Sequence, residues 1–100
     1  MAKTPEGKVK DKVKDILKKF GVYQYWPVPA GYGAPTLDCI GCYKGRFLSI
    51  ETKASGKKLT PRQRLTKSQM EESEAAVFVI DGEPGLLELT EWLMRVRNES

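Results

Sequence analysis

Histidine is absent from this chain of 100 residues. That absence removes Ser-His and Cys-His catalysis and every histidine-based metal site, so any chemistry has to rest on carboxylates, lysines, hydroxyls or cysteines. Cysteine is scarce as well, with two residues that form the stretch C-I-G-C from Cys39 to Cys42. A zinc site normally takes four nitrogen or sulfur ligands, more than this chain offers. If the segment is a strand, Cα atoms three residues apart lie about 10 Å apart, beyond the roughly 7 Å that a disulfide spans, and the two side chains face opposite ways. Two buried or semi-buried thiols without a joint role are expected, rather than a redox pair. Long apolar runs are missing too. The longest, Ala75 to Ile80, falls far short of the roughly 20 residues that span a bilayer, and the N-terminus is charged rather than signal-like. A cytoplasmic protein with no membrane partner and no nucleotide cofactor is the expectation.

What is present fits one small globular domain over residues 1–100. Hydrophobic residues make up 40% and charged residues 30% of the chain, enough for one modest core but not for two. The net charge of +4 is unevenly spread: residues 1–67 hold 15 Lys and Arg against 5 Asp and Glu, whereas residues 68–100 hold 2 against 8. The first two thirds are therefore +10 and the last third −6. Such polarity suits a polyanion bound on one side, because Lys and Arg on a phosphate backbone release counterions and steer association. Solvation of helix faces accounts for the lysines from Lys8 to Lys19 equally well.

Thr4-Pro5-Glu6 has the form of a helix start, and Val9, Val13, Ile16, Leu17 and Phe20 recur at helical spacing until Gly21. Glu6 falls within the angular arc of that apolar stripe. It either aims an acid near the sheet or complements the positive end of the helix dipole. Val22 to Pro29 reads as an edge strand that runs into the Gly/Pro loop AGYGAP. Its aromatics Tyr23, Tyr25 and Trp26 suit packing against the first helix, with base stacking and subunit contact as the other uses. After a central hairpin, Thr60-Pro61-Arg62-Gln63 forms a capping box for a helix that reaches about Ser73. Its basic start and acidic end oppose the helix dipole, so Arg62 and Arg64 are read as serving a partner. Ala75 to Ile80 is then a strand buried on both faces, and Leu86 to Arg97 a last helix capped by Thr90, with Leu89, Trp92, Leu93 and Val96 inward. A helix between the third and fourth strands makes them parallel neighbours in a mixed sheet.

The hairpin carries the chemistry. Lys44-Gly45 fits a two-residue turn, because Gly in second place accepts the positive φ that such turns require. Tyr43 then faces Arg46, and the same register sets Asp38 opposite Glu51. Directly opposed side chains have Cβ atoms about 5 Å apart, and like charges placed there are destabilising. Lys53 points to the same face as Glu51, and Glu6 comes near. Carboxylates gathered around one ammonium make a poor structural salt bridge but a good site for a hard divalent cation, which takes oxygen ligands and keeps waters for chemistry. An Asp at a solvated strand end beside a Glu-Lys pair on an exposed face is the plainer alternative.

Asp38 on one strand, Glu51-Thr52-Lys53 on the next, and a helix opening with Leu59-Thr60-Pro61-Arg62-Gln63 resemble the PD-(D/E)XK nuclease superfamily. Within it, IGCYKGRFLSIETKASGKKLTPRQ is similar to the stand-alone virus-type replication-repair nuclease (VRR-NUC) domains of phages and bacteria. The similarity runs from Glu6 to about Ile80. One departure is that the family often has Pro immediately before the first Asp, whereas here Thr36 and Leu37 separate Pro35 from Asp38.

The resemblance implies an α/β fold of the restriction-endonuclease-like type: an αβββαβ core, a mixed sheet flanked by helices, and a C-terminal helix. It implies phosphodiester hydrolysis with Mg²⁺ or Mn²⁺. Carried over, Asp38, Glu51 and the Thr52 carbonyl ligate metal, with Glu6 reaching it directly or through water. Lys53 orients or helps deprotonate the attacking water, and Gln63 contacts that water or the scissile phosphate. Lys57, Lys58, Arg62, Arg64 and Lys67 hold the DNA backbone without reading sequence. The expected activity is that of a structure-selective DNA endonuclease in a bacterial or phage-infected cell, resembling the homodimeric Holliday-junction resolvases of DNA repair. A flap or single-strand nuclease would use the same site, and a non-catalytic nucleic-acid-binding module is the alternative of another class.

Overall fold

The structure is a computed structural model that describes residues 3–28 and 35–99. Helix α1 (Pro5–Phe20) starts where the sequence places it. The Thr4 hydroxyl accepts the Gly7 N–H, and Gly21 closes the helix in the left-handed region at φ 76°. Strand β1 (Tyr23–Tyr25) follows, short and at the sheet edge. Apart from Pro35, the Gly/Pro loop read between the first two strands lies outside the described residues. Strands β2 (Cys39–Tyr43) and β3 (Arg46–Thr52) form the hairpin, with Lys44 at φ 49° and Gly45 at φ 81° in its turn. Helix α2 (Pro61–Glu72), strand β4 (Ala76–Ile80) and helix α3 (Glu83–Glu99) complete the chain.

The sheet order is β1-β2-β3-β4, antiparallel except for the parallel β3/β4 pair that the α2 crossover makes. Alternation on β3 decides what lies on each face. Leu48 and Ile50 point into a core shared with Val13 and Leu17 of α1 and Leu86, Leu89, Leu93 and Val96 of α3. Phe47 and Glu51 point the other way, toward α2.

Three expectations change. Strand β4 is the other sheet edge, so Val79 stays 37% exposed instead of being buried on both faces. The last helix begins at Glu83, three residues before the expected Leu86, and Thr90 does not cap it. The Asp81-Gly82 turn feeds it directly, and Thr90 sits mid-helix with its hydroxyl donating to the Leu86 carbonyl. Tyr23 and Tyr25, at 71% and 56% exposure, do not pack on α1. Their strand turns Gln24 toward α1 instead, and only the half-buried Trp26 rests on that helix.

Gly41 is required by close approach. A Cβ there would lie 2.7 Å from the Tyr23 carbonyl oxygen and 3.3 Å from Leu48 Cδ2. Gly41→Ala is therefore expected to push β1 away and cost about 1–3 kcal/mol. Urea unfolding monitored by circular dichroism measures it, and an unchanged midpoint would mean that the edge strand yields freely.

Candidate active site

The register pairs Cys39 with Ile50 and Tyr43 with Arg46, which sets Asp38 just before β2 beside Glu51 near the end of β3. The two acids are cross-braced. The Asp38 N–H donates to Glu51 Oε1 at 3.1 Å, while Asp38 Oδ2 accepts from the Thr52 N–H at 2.9 Å and the Thr52 hydroxyl at 2.7 Å. Each carboxylate is thus oriented by the neighbouring strand's residues, which offsets part of the like-charge repulsion that the hairpin imposes.

Glu51 is 4% exposed. Burial, and next the Asp38 carboxylate, push its carboxyl up from the ordinary 4.5 to about 7, against the lowering by the Asp38 N–H and Lys53; Glu6 adds a smaller upward push. Lys53 Nζ lies 3.8 Å from Glu51 Oε2, with its side chain only 13% exposed. A buried Glu51 beside a half-buried Asp38, with a single adjacent ammonium, is short of positive charge, and the free lone pairs of the two acids are hard oxygen donors. In donor chemistry, Asp38 and Glu51 fit a Mg²⁺-type cation. Among the described residues, however, no three acidic or thiol side chains converge as a metal-holding group. Glu6, in the first turn of α1, is felt by Glu51 as charge and stands apart from the Asp38–Glu51 pair.

Gln63 takes a position that sequence reasoning only half anticipated. Its Oε1 accepts the Thr60 N–H at 3.0 Å, the return half of the capping box, and its Nε2 donates to Glu51 Oε2 at 2.9 Å. The cap therefore aims the amide, and the first turn of α2 is fastened to the buried acid. The capping-box spacing was the available signal; the link to Glu51 needs the fold. Thr52 was expected to act through its carbonyl, and the structure adds that its N–H and hydroxyl hold Asp38.

The basic residues divide. Lys57, Lys58 and Arg62 are exposed on the loop and first turn that lead into α2. Arg64 is exposed but ties the Leu59 carbonyl at 2.9 Å, and Lys67 pairs with Glu71 at 3.1 Å. These two are therefore less available to a ligand than their charge suggests. The cysteines behave as opposite-facing strand residues, Cys39 buried and Cys42 exposed, both free. Burial pushes the Cys39 thiol up to about 12, so it is no nucleophile at neutral pH.

A search of solved structures adds the decisive comparison. A structure described as a VRR_NUC domain matches with a TM-score of 0.76, covering 89% of this chain and 97% of that one at 22% identity. The chain has the VRR_NUC fold. Neither a protein-family model nor a curated protein matches the sequence itself. The VRR_NUC fold agrees with the resemblance read from Asp38, Glu51-Thr52-Lys53 and Gln63, and it accounts for the mixed sheet with helices on both faces. No helix among the described residues is long and apolar enough to cross a membrane.

Proposed function

We propose that this chain is a Mg²⁺- or Mn²⁺-dependent structure-selective DNA endonuclease, acting as a homodimer of the Holliday-junction-resolvase type in a bacterial or phage-infected cytoplasm. The observation that carries the reading is the cross-braced Asp38–Glu51 pair with Lys53 beside it, on a VRR_NUC fold. Asp38, Glu51 and the Thr52 carbonyl would hold the metal, with Glu6 acting through water from the start of α1. A bound divalent ion lowers the pKa of its water and stabilises the charge that develops on the phosphoryl oxygens. The chain's own residues do the rest. Lys53 supplies a compact cation at the reacting phosphate and orients the attacking water, and Gln63 keeps the Glu51 carboxylate in place. Lys57, Lys58 and Arg62 hold the backbone without reading bases. A two-fold dimer presents two such sites, as cutting a four-way junction at two symmetric points demands.

The test is cleavage of a labelled four-way junction beside flap, duplex and single-stranded DNA, each with Mg²⁺, Mn²⁺ or chelator. Metal-dependent paired cuts near the branch point are expected. Cutting mainly of flaps or single strands would discard the junction as substrate, and binding without cutting under any metal would favour a non-catalytic binding module.

A further inference from the structure

Helix α1 carries a row of like charges along one side. Glu6, Lys10, Lys14 and Lys18 recur every four residues and so form one row along the helix. Like charges four apart on a helix repel, and no acid in this row separates the three lysines. Acids in or beside the row offset part of this repulsion: Glu6 stands four residues before Lys10, and Asp11 and Asp15 stand three before Lys14 and Lys18, with the charge of Lys14 acting on Asp11. Asp11 is bound by Lys3, Glu83 faces Lys12 at 3.4 Å, and Asp15 lines a groove with Lys12, Lys19 and Glu83. Lys18 in the last turn suits the helix dipole, but Lys10 and Lys14 lie too far from the C-terminus for that account.

Instead, Lys10 and Lys14 meet an aromatic ring. Their ammonium groups lie 5.8 and 5.0 Å from the Trp26 centroid. Trp26 is itself fixed, because its Nε1 donates to Gln24 Oε1 at 2.8 Å and Gln24 Nε2 reaches the Lys14 carbonyl at 3.5 Å. The two lysine heads are held side by side above a surface ring, which lowers the entropy lost when they engage an anion.

The row also begins within electrostatic reach of the candidate site, although Glu6 stands apart from the Asp38–Glu51 pair. Its first member, Glu6, is near enough for its charge to act on Glu51, and α1 packs on β3. From Lys10 to Lys18 the helix rises about 12 Å, the axial length of roughly three or four phosphates on one strand. The other basic group, Lys57, Lys58 and Arg62, reaches the site by the start of α2. Positive charge therefore leaves Glu51 along two separate elements.

We propose that the Lys10–Lys14–Lys18 row, braced by Trp26, is a second phosphate-backbone track that grips a DNA arm other than the one held by the α2 cluster. It rests on the nuclease reading only for where the arm leads; backbone binding by the row stands by itself.

The experiment measures equilibrium binding of a labelled four-way junction with chelator present, across a salt series, for wild type and for Lys10→Ala/Lys14→Ala/Lys18→Ala. Alanine is the strongest helix former, so α1 persists. The triple variant is expected to bind on the order of tenfold more weakly near 0.1 M salt, with a salt slope shallower by about 2 to 3. The corresponding triple Arg variant restores both. In a Trp92→Phe background, where Trp26 is the sole tryptophan, DNA should change the tryptophan emission, and the triple Ala variant should remove that response. An unchanged slope together with an unresponsive Trp26 would overturn the track. So would salt-sensitive self-association that the triple variant abolishes without altering DNA binding, because the row would then face a second copy. If wild type cuts no DNA while the binding results hold, the nuclease reading fails and the track survives.

Discussion

Asp38→Ala and Glu51→Gln are each expected to lower DNA cleavage on the order of a hundredfold or more while leaving DNA affinity in chelator within a few-fold of wild type. The separation follows from the layout. The two acids sit half-buried and buried at the ends of β2 and β3, whereas the exposed cations lie on α1, on the loop before α2 and on α2 itself. Losing either carboxylate removes a hard oxygen donor, and Asp38→Ala also frees the Thr52 N–H and hydroxyl that oriented it. Single-turnover cleavage rates and anisotropy titrations on the same DNA measure the two effects. Affinity that collapsed with cleavage would mean that the pair shapes the binding surface instead of the chemistry.

The second large effect is on stability. In the absence of a divalent cation, the protein is expected to lose stability as pH rises from about 4.5 to about 7, because Glu51 is held up near 7 by burial and by Asp38. The sign comes from proton binding. Below the ordinary carboxyl value both states are protonated. Between the two values the unfolded chain releases its proton while the fold keeps it, so each step up in pH favours unfolding; above about 7 the loss is complete. A displacement from 4.5 to about 7 corresponds to about 3 kcal/mol. Urea unfolding at pH 5 and pH 8 in chelator reads it directly. Glu51→Gln should show little of this dependence, although its single amide oxygen can accept from only one of the Asp38 N–H and Gln63 Nε2 in the original geometry, at about 1 kcal/mol. Millimolar Mg²⁺ should restore wild type at pH 8 and do little at pH 5. Equal wild-type stability at both pH values would show that Glu51 ionises in the fold without cost.

Local rules carried much of the reading from sequence. Thr4-Pro5 and Thr60-Pro61-Arg62-Gln63 announce helix starts because capping is chemistry among residues three apart, and both caps form as written. Lys44-Gly45 sets a two-residue turn, and from the turn the register follows by counting, which is why Asp38 and Glu51 could be brought together without a structure. What stayed hidden depends on contacts distant in sequence. That β4 would be an edge, leaving Val79 exposed, depends on which strands pair and not on the strand itself. Thr90 has the look of a cap, yet Asp81-Gly82 passes straight into α3, where Gly85 lets the helix start approach Ile80 to within 3.1 Å of where a Cβ would stand. The site was legible in its acids and its lysine and less so in its supports. That the Thr52 donors hold Asp38, or that a capping glutamine steadies Glu51, becomes visible only once α2 is folded onto the sheet.

The most direct test of the central claim, that Asp38 and Glu51 face each other to hold a divalent cation, is titration of the DNA-free protein with Mn²⁺ by calorimetry near pH 7 in buffers of different ionisation enthalpy. Wild type should bind Mn²⁺ with release of a proton from Glu51, and Asp38→Ala and Glu51→Gln should lose that binding. Mn²⁺ binding of equal strength in all three proteins, with no proton released, would contradict it.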